Sequence, residues 1–246
     1  MRCKWLAMLL CLLMMDSACA EERFVFGQSE MGRDLACVRL GDEAAEKSLL
    51  MTFAVHGFED AYDHDGQLLV EIAELLIAHY DADPSGLNGH ALYIVPCVNP
   101  DGLLDGTTRN GFGRANANGI DINRDFSARW QKFTNGRNQT GDKPFASAEA
   151  RAIRDLVERI QPAWGVDVHG WIECVYGTRS LARPFMEAFG VKYADYITGG
   201  KLSQWLAKNA EAAVLVELPR NPGGQEYVQD CAQKLIAGLD AWFATQ

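Results

Sequence analysis

Four short apolar runs in this chain each end on a residue that can carry chemistry. Residues 49–55 lead into His56, 92–98 into Asn99, 165–168 into His169, and 212–216 into Glu217. Runs of this length, rich in β-branched residues, read as strands buried on both faces. Between them lie helical patterns. Leu68, Leu69, Ile72, Leu75 and Leu76 share one face over residues 65–79, and Ile153, Leu156, Val157 and Ile160 share one over 148–160, where Ser147 can act as N-cap. Such alternation predicts an α/β fold, one domain with a mixed, largely parallel sheet and helices on both faces. In open sheets of this type, sites form outside the carboxyl ends of the strands. The four residues are therefore expected to meet along one edge.

The rest of the chain fits around that frame. Residues 27–33 are turn-rich and 35–40 read as a strand. Asp83-Pro84-Ser85-Gly86 ends the first helix. A long segment rich in Asn, Gly and Arg, residues 99–138, reads as a loop, and a loop of that length is expected to carry function. Residues 176–196 look less regular, 202–209 read as a helix, and 226–243 as a closing helix.

The chain has 246 residues, 48% hydrophobic and 23% charged, which suits one large domain. Its formal charge of −10 speaks against a nucleic-acid partner, because phosphate binding needs a basic surface. Arg2 and Lys4 precede an apolar run over residues 5–15, and Ala18-Cys19-Ala20 has the small residues of a cleavage site. That layout is a signal peptide, residues 1–20. The run is short for a bilayer span, which needs ~20 apolar residues. Asp16 also stands where a lipoprotein signal carries an aliphatic residue. The expected product is an exported protein of residues 21–246, periplasmic or secreted, with no stable membrane anchor. Cleavage removes two basic residues and one acidic, taking the charge from −10 to −11. Cys37, Cys97, Cys174 and Cys231 remain, scattered and without a Cys-x-x-Cys pair, so their pairing stays open. Cys97, inside an apolar run, reads as a small buried hydrophobe.

His56, Glu59 and His169 would give two imidazole nitrogens and one carboxylate oxygen, a donor set that suits zinc and leaves a coordination position open for catalysis. A lone His-x-x-Glu is more often a solvent-facing pair, so the reading depends on the company it keeps. That company is His56-Gly57-Phe58-Glu59, Asn99-Pro100-Asp101-Gly102, Gly119-Ile120-Asp121-Ile122-Asn123-Arg124 and His169, in this order. Together these resemble the zinc metallocarboxypeptidase family (funnelins) over nearly the whole chain. The short length, and Pro144-Phe145 leading into a helix with Glu149, look most like its small bacterial members, the murein peptide amidases that trim cell-wall peptides.

The resemblance implies one Zn2+ held by His56, Glu59 and His169, with Asp121 as the acid supporting the first imidazole. It implies Glu217 as general base, and Asn123 with Arg124 as the clamp on the substrate's terminal carboxylate. Arg114 matches the family's oxyanion partner, with Arg109 competing for that role. Tyr196, ahead of Gly199-Gly200, matches a mobile tyrosine that closes over substrate, with Tyr193 as the alternative. The specificity pocket is expected near Leu202 or Ser203. His64, His79 and His90 are expected outside the site.

The function implied is hydrolysis of the last amide of a peptide with a free C-terminal carboxylate. The resemblance points to the γ-D-glutamyl-diaminopimelate bond of the murein tripeptide. A general peptide carboxypeptidase, an amide deacylase on the same fold, and a non-enzymatic zinc-bearing peptide-binding module are the alternatives. Against the last stands Glu217, since a binder has no need of a base.

Overall fold

The computed structural model describes residues 22–220 and 222–246, so the expected signal segment lies outside the described residues. In chain order the elements are β1 (Glu22–Gln28), β2 (Asp34–Gly41), β3 (Ser48–Thr52), α1 (Gly66–Ala82), β4 (Ala91–Val95), α2 (Pro100–Asp105), β5 (Thr108–Ala115), α3 (Ala148–Ile160), β6 (Trp164–Gly170), β7 (Cys174–Gly177), α4 (Arg179–Phe189), β8 (Lys192–Tyr193), α5 (Leu202–Asn209), β9 (Ala212–Leu218) and α6 (Gly224–Phe243). Eight of these strands form a single sheet in the order β1-β2-β4-β3-β6-β9-β7-β8. The central strands β4, β3, β6 and β9 run parallel, and antiparallel pairings flank them at β1/β2, β2/β4 and β7/β9.

Helices cover both faces. A large apolar cluster lies between the sheet and α1, α4 and α6, with Leu69, Phe185 and Leu235 among its members. A second lies on the opposite face under α3 and α5, with Ile153, Leu156, Leu202 and Trp205. Ile153 and Leu156 are almost completely buried, and each such side chain stabilises the fold by ~1.5–3 kcal/mol. Ser147 caps α3 as expected, its Oγ accepting from the Ala150 N–H at 3.2 Å. Among the described residues no helix is long and apolar enough to cross a membrane.

The structure departs from the sequence reading in four places. First, β3 stops at Thr52 and β4 at Val95, short of 49–55 and 92–98. Past those points the two chains bond to each other irregularly, Phe53 N–H to the Val95 oxygen and Asn99 N–H to the Ala54 oxygen, each at 3.0 Å. Ala54, with φ of 46°, turns the chain there. Second, residues 99–138 hold α2 and β5 rather than a plain loop. The Asn99 side chain accepts from Gly102 N–H and Pro100 opens the helix, a local signal that the Asn/Gly-rich composition obscured. Third, residues 176–196 contain α4, whose Leu181, Ala182 and Phe185 are buried. Fourth, the turn over residues 29–32 is preceded by the half-exposed edge strand β1.

No disulfide joins Cys37, Cys97, Cys174 and Cys231. Cys97 is partly buried and packs against the larger cluster.

Candidate active site

The parallel order β4-β3-β6-β9 sets the chemistry side by side. His56 follows β3, His169 lies on β6, and Glu217 on β9 is the direct cross-strand neighbour of His169. Glu59 reaches the same point because the chain folds back immediately after His56. Gly57 permits this turn, since a Cβ there would lie 2.1 Å from the Leu103 nitrogen. The buried Asp65 carboxylate then ties the loop down, accepting from the Glu59 and Ala61 N–H groups and from the Trp171 indole at 2.8 Å.

Both imidazoles turn Nδ1 toward Glu59. The His56 Nδ1 to Oε2 and His169 Nδ1 to Oε1 distances are each 2.9 Å, and one ligand atom from each of the three residues lies within 4.8 Å of the others. Each Nε2 is held from behind by a carboxylate at 3.0 Å, His56 by Asp121 and His169 by Asp167. A carboxylate behind each ring fixes its orientation and raises its basicity as a ligand. Two nitrogens and one oxygen, buried and converging, with a side open to the cleft, fit a catalytic zinc ion. Burial alone would raise the Glu59 carboxyl, but the adjoining imidazoles outweigh it and hold the group well below the usual carboxylate range. His169 moves the other way: burial lowers it, and Asp167 and Glu59 carry it well above the ordinary value. A dication held by His56, Glu59 and His169 would take the place of the ring protons.

Asp167 was not singled out in the sequence. Its signal was available, because residues two apart on a strand point to the same face. Asp167 also accepts from the Thr52 hydroxyl at 2.8 Å, which locks it into the sheet.

Residues 114–124 supply two cations, Arg114 and Arg124. Asn116 Oδ1 accepts from the N–H groups of Asn118 and Ile120 and so closes the turn, while its amide donates to Glu149 at 2.8 Å. Asp121 accepts from Asn123 N–H at 3.0 Å. The Asn123 Oδ1 accepts from Leu202 N–H at 3.0 Å, and its amide faces His169 Nε2 at 3.3 Å. Arg124 projects into the cleft; its Nη1 donates to the Asn123 oxygen at 2.7 Å and its Nε is buried without a partner. Arg114 lies 3.5 Å from Glu59 and 3.8 Å from Asp121. Asn99 positions it by donating to its backbone oxygen at 3.2 Å. Arg109, the competing candidate, is exposed and donates to the Asp60 and Ala61 oxygens outside the cleft.

His56, Glu59, His169, Arg114, Asn123 and Arg124 line a cleft of about 340 Å³, together with Glu217, Tyr196, Arg137, Tyr176 and Lys201. Glu217 is 9% exposed, and its Oε2 has no hydrogen-bond partner. Burial, with the Glu59 charge adding to it against His169, pushes its pKa up to about 7. Tyr196 donates to the Ser203 hydroxyl at 2.9 Å and stacks on Tyr176 with centroids 5.2 Å apart. Tyr193 turns away, donating to the Gly177 oxygen at 2.7 Å. In the segment expected to form the specificity pocket, Leu202 packs in the core and the Ser203 hydroxyl accepts from Tyr196, while the adjacent Lys201 lines the cleft. His64 and His90 bond backbone oxygens elsewhere, and His79 packs on Tyr80.

A ligand cluster of this make at the edge of a parallel sheet, with a buried acid and the unpaired Arg124 beside it, is the equipment of a zinc-dependent peptide hydrolase. The zinc carboxypeptidase family model matches residues 16–230, and the chain belongs to that family. Its relatives narrow the picture. Murein peptide amidase A of Escherichia coli K12 is 31% identical over 212 residues, which cover 79% of this chain and 80% of that protein. Bacteriocin BCN5 of Clostridium perfringens is 32% identical over 80% of this chain, which spans 23% of the bacteriocin's length. Among solved structures, murein-tripeptide amidase from Escherichia coli O157 superposes with a TM-score of 0.64 at 27% identity, covering 90% of this chain and 91% of that one. Carboxypeptidase A from Helicoverpa armigera shares the fold, with a TM-score of 0.74 at 17% identity over 92% of this chain and 69% of its own.

Proposed function

We propose that this protein is an exported carboxypeptidase that removes the terminal residue of murein peptides, cutting the γ-D-glutamyl-diaminopimelate amide. The observation that carries the reaction type is the buried Glu217 carboxylate, with a free oxygen, beside both the His-Glu-His cluster and the unpaired Arg124. The cell-wall substrate rests on similarity to the murein amidases, and export on the leader-like residues 1–20. In this reading residues 21–246 form the catalytic domain.

His56, Glu59 and His169 would hold the zinc, with Asp121 and Asp167 fixing the two rings. Zinc supplies Lewis acidity at the scissile carbonyl and lowers the pKa of water. Arg124, with Asn123 beside it, grips the terminal carboxylate through paired N–H donors. That grip makes the enzyme an exopeptidase, because a chain amidated at its end offers no such anion. Glu217 takes a proton from the attacking water at its free oxygen and delivers it to the leaving amine. Arg114 faces the oxygen on which negative charge develops. Tyr196 swings from Ser203 to close over the bound peptide.

The deciding experiment is a mass-spectrometric assay of the zinc-loaded protein on L-alanyl-γ-D-glutamyl-meso-diaminopimelate, an ordinary tripeptide and that tripeptide's C-terminal amide. Release of diaminopimelate with the amide intact is expected. Cleavage of the ordinary tripeptide alone would move the protein to general peptide turnover. Cleavage of the amide would remove the carboxylate clamp from the mechanism. Export is tested by N-terminal sequencing of the protein recovered outside the cytoplasm, with Glu21 expected first.

A further inference from the structure

The cleft holds more positive charge than one terminal carboxylate requires. Arg114 has Glu59 and Asp121 nearby, and Arg137 is paired with Asp60. Arg124 and Lys201 form no ion pair among the described residues, although both line the cleft. Charges taken out of water are costly unless paired. Here Arg124 and, more weakly, Arg114 set like charges against the half-buried Lys201, while Asp121 and Glu217 oppose them without forming an ion pair with it. Burial and Arg124 together push the Lys201 ammonium down to about 8, the direction expected of a cation waiting for an anion.

The backbone explains why Lys201 stays there. Gly200, at φ of 78°, packs so tightly on Arg124 that a Cβ would lie 2.5 Å from the Arg124 oxygen. On the other side, Leu202 N–H is bonded to Asn123 Oδ1. The Lys201 backbone is thus pinned to the Asn123-Arg124 pair from both flanks, and its side chain lines the same cleft as Arg124.

We propose that Lys201 is a specificity-determining residue that binds a second carboxylate, carried on the side chain of the substrate's terminal residue, while Arg124 holds the α-carboxylate. This rests on the carboxypeptidase reading above. Two cations would then meet two anions, and a terminal residue ending in an ammonium alone would be rejected by like charge. Diaminopimelate has such a second carboxylate. Lysine is the same skeleton without it.

That difference of one group supplies the test. Zinc-loaded wild type and Lys201→Met are compared on L-alanyl-γ-D-glutamyl peptides ending in meso-diaminopimelate or in L-lysine, and on ordinary tripeptides ending in glutamate or in lysine. In wild type the dicarboxylate is expected to lead by ~10-fold or more in kcat/KM, since a site built for a polar group rejects its absence. Lys201→Met should collapse that ratio, mainly by raising KM for the dicarboxylate, and Lys201→Arg should largely restore it. An equal loss on both members of a pair, with a shifted acid limb, would make Lys201 a group acting on Glu217 and overturn the proposal. An unchanged ratio would overturn it too. If only the ordinary peptides are cleaved, the murein substrate is lost while the glutamate–lysine pair still decides the role of Lys201. If no peptide is cleaved, both readings fall.

Discussion

Asp167 and His169 stand two residues apart on β6, and the carboxylate of the first holds Nε2 of the second at 3.0 Å while its other oxygen takes the Thr52 hydroxyl at 2.8 Å. One strand thereby supplies a metal-facing imidazole and the group that aims it. Asp167→Asn keeps the Thr52 contact but removes the charge behind the ring. Zinc affinity is expected to fall ~10–100-fold, read by competition with a chromogenic chelator. Unchanged affinity would mean that the sheet alone orients His169.

Glu217→Gln should leave the shape of the cleft intact and abolish proton transfer. Turnover is expected to drop at least ~10²–10⁴-fold, with zinc content and peptide affinity retained. His169→Ala gives the opposite pattern, with zinc lost first. Near-wild-type rates in Glu217→Gln would remove this carboxylate from the proton path.

Arg124→Met takes away the proposed anchor. Losing two charge-assisted hydrogen bonds, ~3 kcal/mol in all, corresponds to a ~10²-fold fall in kcat/KM. Arg124→Lys should recover part of this, because an ammonium keeps the charge but not the planar fork. Steady-state kinetics that place the loss in kcat alone, with KM unmoved, would argue against a role in gripping the ground state.

Titration of Glu217 makes the metal-free protein pH-sensitive. Its folded pKa is raised, from 4.5 to about 7. Below 4.5 both folded and unfolded chains hold the proton, whereas between 4.5 and 7 the folded chain holds it more tightly. Stability is therefore full at the acid end of that window and declines as pH rises through it, by on the order of a few kcal/mol. Urea unfolding of zinc-free protein should show this slope, and Glu217→Gln should flatten it. In the loaded enzyme the positive charge nearby lowers the same pKa, so the acid limb of kcat/KM is expected below 7. A rate that fell as pH rose from 5 to 7 would contradict the role of base.

Much of the site was legible in the chain because its residues sit at fixed points of local pattern. His169 and Glu217 close apolar runs that could only be buried strands, and their cross-strand pairing follows from β6 and β9 lying side by side. The cap of α3 by Ser147 and the span of α5 were likewise readable, since capping and helical spacing are local signals. Residues 99–138 were misjudged where composition hid short-range order, in α2 and β5. Strand ends were overrun at β3 and β4, because apolar character continues past the point where the ladder stops.

By itself, then, the sequence determined the α/β class, the strand-end residues and the metal donor set, all consequences of periodicity and of motifs short enough to be read in order. Tertiary structure decided what depends on segments far apart in the chain. It put Arg114 rather than Arg109, and Tyr196 rather than Tyr193, in the cleft. It locked Asp167, behind His169, to Thr52 across 115 positions. It also brought Lys201 beside Arg124 without an acid to pair with, a juxtaposition visible only when α5 is docked on the sheet. Spacing along a chain reports neighbours a few residues away. Charge balance in a cleft is a property of the packed whole.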